Sequence, residues 1–174
     1  MKKIFVVVDY QNDFVDGALG FDDACKLDSK IASKIEEERN NGTEIAFTFD
    51  THDENYLNTQ EGKNLPVVHC IEGSHGHMLY GETAKCQRAE DKVFYKRCFG
   101  SMELAEYLKA GCYDEVELCG LVSNICVISN AILAKAALPE AKVVVRAELT
   151  DSFDKSLNEQ TLNILKGVQV EVIE

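Results

Sequence analysis

The segment "KIFVVVD" (residues 3–9) constrains the fold more than any other. A continuous Val-rich run has no polar face, so it fits a strand covered on both sides of a sheet. Five more runs read as strands: "TEIAFTFD" (43–50), "KVFYK" (92–96), "EVELCG" (115–120), "KVVVRAE" (142–148) and "VQVEVI" (168–173). The segments between several of them carry helical spacing. "DSKIASKIEEERNNG" puts Ile31, Ala32 and Ile35 on one face, with Asp28 or Ser29 as cap and Gly42 as stop. "SMELAEYLKAG" has Ser101 as cap and Glu103 in its first turn. "VSNICVISNAILAKAAL" lines up Val122, Ile125, Ser129, Ile132 and Ala136, and Pro139 stops it. "SFDKSLNEQTLNILKG" sets Phe153, Leu157, Ile164 and Leu165 on one side. Strands alternating with helices predict an α/β protein: three α/β/α layers around a six-stranded, mostly parallel sheet. The length suits a single domain over residues 1–174. The stretch 51–91 reads as a long loop, and such loops in compact domains are commonly functional.

Composition excludes several functions. The net charge of −12, with scattered lysines and arginines, argues against a nucleic-acid partner. No apolar run reaches ~18 residues, so no membrane span is expected. "MKKIFVVVDYQND" lacks the long apolar region of a signal peptide, and its Asp9 interrupts the run. Seven cysteines without paired spacing suggest reduced thiols and a cytoplasmic protein. Phosphate-loop and dinucleotide fingerprints are missing.

Ligands of open α/β sheets bind at the carboxyl ends of the strands. That rule gathers Asp9, Asp50, His52, Lys96 and Cys126 at one edge. Cys126 sits in the first turn of a helix, where the dipole would lower a thiol pKa. Asp9 could take its proton, and Lys96 could hold that carboxylate ionised. Backbone N–H groups at the helix start could bind an oxyanion. By position alone, packing is the commoner role for such a cysteine. Cys119 reads as packing, and Cys70 as a weaker functional candidate. A second group comprises Asp50, His52, Glu61 and His69, whose carboxylates and imidazoles suit zinc, manganese or iron(II). His75 and His77 read as exposed loop residues.

Five segments together resemble the isochorismatase-like cysteine hydrolases, in the branch of nicotinamidases and related amidases. They are "VVVDYQNDF", "TFDTH", "HCIEGSHG", "FYKRCFGSM" and "GLVSNICV", in matching order over nearly the whole chain. The resemblance implies Asp9 as general base, Lys96 as catalytic lysine and Cys126 as nucleophile. It implies a cis peptide joining Leu121 to Val122, and an oxyanion hole from the N–H groups of Val122 and Cys126. It implies one divalent ion, zinc first and manganese or iron as alternatives, on Asp50, His52 and His69. Where many nicotinamidases have a third histidine this chain has Asn58, and Glu61 could fill that role. Phe14 would line the substrate pocket. The tryptophan common there is missing, leaving Phe99 or Tyr80 to substitute. The implied activity is hydrolysis of a small primary amide such as nicotinamide through a thioester, in a homo-oligomer. A carbamoyl amide, an isochorismate-type ether, or a non-catalytic thiol-sensing or ligand-binding role are the alternatives.

Overall fold

A computed structural model describes residues 1–173. Six strands form one sheet: β1 (Lys3–Val8), β2 (Glu44–Asp50), β3 (Lys92–Lys96), β4 (Glu115–Gly120), β5 (Lys142–Thr150) and β6 (Glu171–Ile173). Their order is β3-β2-β1-β4-β5-β6, and every pairing is parallel. The helices are α1 (Asn12–Val15), α2 (Asp28–Asn40), α3 (Gln60–Asn64), α4 (Gly81–Cys86), α5 (Met102–Gly111), α6 (Ile128–Ala137) and α7 (Lys155–Gly167). The 51–91 stretch therefore contains two short helices, together with a 3-10 turn at Tyr56–Asn58. The last strand begins at Glu171 rather than at residue 168, because α7 runs on to Gly167 and Gln169 turns the chain at φ 63.

Alternation along β1 separates two cores. Ile4, Val6 and Val8 pack with Leu104, Leu108, Ala131 and Leu165 from α5, α6 and α7. Phe5 and Val7 pack with Phe14, Ile31, Ile35 and Phe47 on the side of α1 and α2. Burying one such side chain stabilises the fold by about 1.5–3 kcal/mol. Ser101 caps α5 as its sequence suggests, accepting the Leu104 N–H at 3.1 Å. Asp28 does not cap α2. Its carboxylate instead accepts the N–H groups of Glu82 and Thr83 at 2.8 and 2.9 Å, capping α4 from outside.

Two expected helix faces are wrong. A π-turn at Ser123–Val127 precedes α6, with the Val127 N–H bonded to the Val122 carbonyl at 3.2 Å. The wider turn shifts the phase of everything after it. Cys126, Val127, Asn130, Ala131 and Ala134 are buried, while Ile132 is exposed. Of the face expected on α7, Leu165 is buried, with Thr161 beside it, while Leu157 and Ile164 are exposed, as is Phe153, which precedes the helix. That helix lies at the end of the sheet against β6 and the π-turn, so it buries a narrow stripe.

The chain winds from β1 out to β3, then returns to place β4 on the other side of β1. The connections leaving β1 and β4 therefore diverge and open a crevice at their carboxyl ends. Close packing there requires Gly120, at φ 103. A Cβ on it would stand 2.0 Å from the Val8 carbonyl oxygen.

Candidate active site

Asp9 follows β1 with a left-handed φ of 45 and is fully buried. Its Oδ1 accepts a hydrogen bond from the Thr48 hydroxyl at 2.6 Å. Its Oδ2 lies 2.6 Å from Lys96 Nζ. Lys96, the last residue of β3, also reaches Asp50 Oδ1 at 3.2 Å and Cys126 Sγ at 3.6 Å. One buried ammonium thus touches two carboxylates and the thiol. Burial disfavours that charge, yet Asp9, Cys126 and Asp50 together hold the Lys96 pKa well above its ordinary value. Burial pushes the Cys126 thiol well up, with Lys96 opposing. Burial thus opposes the lowering expected of a thiol at a helix N-terminus, and Cys126 lies in the π-turn that precedes α6. Burial likewise raises the Asp9 pKa against the pull of Lys96. The peptide between Leu121 and Val122 is cis.

The second group assembles beside it. His52 Nε2 and His69 Nε2 lie 3.0 and 3.3 Å from Asp50 Oδ2, and 3.7 and 3.9 Å from Glu61 Oε1. All four donor atoms fall within 4.8 Å of one another. His69 Nδ1 donates to the Val67 carbonyl at 2.7 Å, so Nε2 presents its lone pair to the cluster when the ring is neutral. Burial would raise the Asp50 pKa, but hydrogen bonds from His52 and His69, with Lys96, drive it below the usual carboxylate range. Two imidazoles and two carboxylates converging in this way fit a divalent ion such as zinc. His75 is exposed as expected. His77 is buried, its Nε2 hydrogen-bonded at 2.9 Å to the Thr51 hydroxyl, and neither belongs to the cluster.

A cavity of about 400 Å3 opens beside the two groups. Cys126, Asp50, Glu61 and His69 line it together with Phe14, Leu19, Leu65, Phe99, Val122, Ile125 and Phe153. Phe14 meets His69 edge-on, with ring centroids 5.6 Å apart. Tyr80 lies elsewhere, against Tyr10, and does not substitute for a pocket tryptophan. Sequence reasoning missed Thr48, Gln11, Leu19 and Phe153. Gln11 is fully buried and clamps Asp50: its Oε1 accepts the Asp50 N–H at 2.8 Å, and its Nε2 donates to the Asp50 carbonyl at 2.9 Å. The polar run "DYQND" is the signal that could have found it; a threonine within a strand gives none.

The isochorismatase domain model matches residues 3–174. The chain belongs to the isochorismatase family. Within that family, the uncharacterized isochorismatase family protein PncA of Bacillus subtilis is 28% identical over 166 residues, with 89% of each chain covered. The crystal structure of nicotinamidase/pyrazinamidase PncA from Bacillus subtilis superposes with a TM-score of 0.90 at 26% identity, covering 100% of both chains. The pyrazinamidase/nicotinamidase of Streptococcus mutans gives 0.89 at 28% identity, covering 99% of this chain and 100% of that one. The isochorismatase fold and its all-parallel sheet are thus shared along the whole length.

Proposed function

We propose that the protein is a metal-containing cysteine amidase that hydrolyses a small primary amide, nicotinamide before others, to the acid and ammonia. One observation carries this reading: Lys96 contacts Asp9, Cys126 and Asp50, and so joins the thiol to the four-donor cluster beside a cavity lined by Cys126, Asp50, Glu61 and His69. The solved relatives with nicotinamidase activity in their names support it.

Asp9 takes the proton from Cys126, and the thiolate sulfur bonds to the amide carbon. The oxyanion formed is held by the N–H groups of Val122 and Cys126. As the intermediate collapses the C–N bond breaks, and Asp9 returns the proton to the nitrogen, which leaves as ammonia. Asp9 then takes a proton from water, whose oxygen attacks the thioester. The C–S bond breaks, the acid departs and the proton returns to the sulfur. Lys96 offsets the negative charge that passes between Asp9 and Cys126. Asp50, His52, Glu61 and His69 would hold a divalent ion, zinc or else manganese or iron(II). Such an ion supplies a Lewis-acidic contact to a heteroatom of the substrate, orienting it.

The cavity lining combines the carboxylates of Asp50 and Glu61 with the aromatic rings of Phe14, Phe99 and Phe153, and the Lys96 ammonium beside Cys126 is already paired with Asp9 and Asp50. An uncharged aromatic amide suits it better than a carbamoyl amide or an isochorismate-type ether that carries a carboxylate. The same reading makes the protein a cytoplasmic homo-oligomer. Its cysteines are all free thiols, and Ile132, Phe153, Leu157 and Ile164 are exposed apolar residues. The test is ammonia release from nicotinamide by zinc-loaded protein beside Cys126→Ala. Release that depends on Cys126 supports the reading; turnover retained by the variant removes the thiol mechanism.

A further inference from the structure

In the run "DYQNDF", Asp9 and Phe14 enter the proposed chemistry and Gln11 clamps Asp50; of the remaining three, Asp13 carries the one ionisable carboxylate. Asp13 Oδ2 accepts the N–H of Cys70, the residue after His69, at 2.7 Å. Its Oδ1 accepts the Ala18 N–H at 3.2 Å, and its backbone carbonyl accepts the Leu19 N–H at 2.8 Å. Ala18 and Leu19 line the cavity.

Cys70 needs such support. Its φ is 47, a left-handed value that a residue with a Cβ adopts at a cost. It is held at both ends: Asp13 accepts from its N–H, and its carbonyl accepts the His52 N–H at 3.0 Å. His52 is thereby linked to Cys70, the residue after His69, and Asp13 anchors the Cys70 N–H. The carboxylate itself sits where no side chain is tolerated. A Cβ on Gly76 would stand 2.0 Å from Asp13 Oδ2, and one on Gly17 would stand 2.4 Å from Oδ1. The two glycines leave the room that Asp13 occupies.

We infer that Asp13 is a positioning residue that fixes both the His69 segment and the Ala18–Leu19 wall of the cavity, so that metal affinity and substrate fit depend on one carboxylate that touches neither. The inference rests on the metal-amidase reading. Its logic is that of the outer groups around metal ligands, whose loss typically lowers metal affinity roughly 10–100-fold.

The experiment compares wild type, Asp13→Asn and Asp13→Ala. Zinc affinity is read by competition with a chromophoric chelator, and kcat and KM for nicotinamide are measured at saturating zinc. Zinc affinity should fall at least tenfold, and KM should rise more than kcat falls. Alkylation of Cys126 by iodoacetamide should keep its wild-type rate, since the triad is untouched. A folded Asp13→Asn or Asp13→Ala with wild-type zinc affinity and KM overturns the inference and leaves the amidase reading standing. A wild type that binds none of zinc, manganese and iron(II) overturns both. Should neither variant fold, amide exchange in zinc-free wild type decides. A slowly exchanging Cys70 N–H supports anchoring by Asp13; rapid exchange that zinc slows means the ion orders the segment, and the inference fails.

Discussion

Lys96 Nζ stands 3.6 Å from Cys126 Sγ while its charge is held by Asp9 at 2.6 Å. The ammonium is therefore part of the fold as well as of the proposed chemistry. Replacing it by Met leaves Asp9 and Asp50 as two buried carboxylates without their cation. Lys96→Met should lose roughly 3–5 kcal/mol of stability, the usual result of removing one partner from a buried ion pair. Urea unfolding measures that loss. Ammonia release should fall at least as far as in Asp9→Asn, for which loss of a general base predicts about 10²–10⁴-fold.

Thr48 offers a gentler perturbation of the same group. Its hydroxyl donates to Asp9 Oδ1, leaving Oδ2 for Lys96. Thr48→Val keeps the shape and removes the donor, at a cost of about 1.5–3 kcal/mol for a hydrogen bond to a charged group. kcat should drop about tenfold or more with KM little changed, and Thr48→Ser should restore it. Equal kcat values for the Val and Ser variants would mean that the hydroxyl does not orient Asp9.

Much of this architecture is legible in the residues, for reasons that also explain where legibility ends. β3 and β4 begin and end where the sequence runs do: β4 lies inside the sheet with every residue buried, and β3 at the edge alternates between buried and exposed residues. Asp9, Asp50, Lys96 and Cys126 could be gathered from distant positions because the carboxyl ends of parallel strands meet at one edge. The buried face of α6 could not be read, since the π-turn before it changes the phase by a contact that no local pattern encodes. Phe153, Leu157, Ile164 and Leu165 look like one core stripe, but only Leu165 is buried: Phe153 precedes α7 and lines the cavity, and Leu157 and Ile164 are exposed. Asp28 looks like a cap and is one, for a helix more than fifty residues away. Thr48 and Asp13 act through partners that only tertiary structure supplies.

Stability should depend on acid through Glu38, at the opposite end of the sheet. Its carboxylate pairs with Lys3 and Lys34 at 3.0 and 2.7 Å and accepts the Thr43 hydroxyl at 2.7 Å. Burial works to raise its pKa, but Lys34, Thr43 and Lys3 outweigh that and hold it at about 2, against an ordinary 4.5. A carboxyl whose pKa is lowered by folding adds stability above its unfolded value. That stability is lost as pH falls from about 4.5 towards 2. Tm should therefore decline across this window. Glu38→Gln should start lower at neutral pH and decline less. A Tm profile of unchanged slope in the variant would place the acid sensitivity elsewhere.

The fourth ligand can be tested by pairing two substitutions. Glu61 Oε1 lies 3.7 Å from His52 Nε2 and 3.9 Å from His69 Nε2, within the cluster. Asn58, at the position where a histidine would be expected, instead donates its side-chain amide to Asn55 Oδ1 at 2.6 Å on an exposed turn. Burial raises the Glu61 pKa, and the Asp50 carboxylate adds to the effect. A cation at the site would relieve both, so zinc uptake should be strongest where Glu61 is ionised. Glu61→Gln removes that charge and should weaken zinc binding at least tenfold while sparing the fold, because the side chain is only partly buried. Asn58→Ala should bind zinc as wild type does. The reverse pattern, with Asn58→Ala impaired and Glu61→Gln intact, would mean that the cluster rearranges around its ion and that the glutamate serves the cavity wall instead.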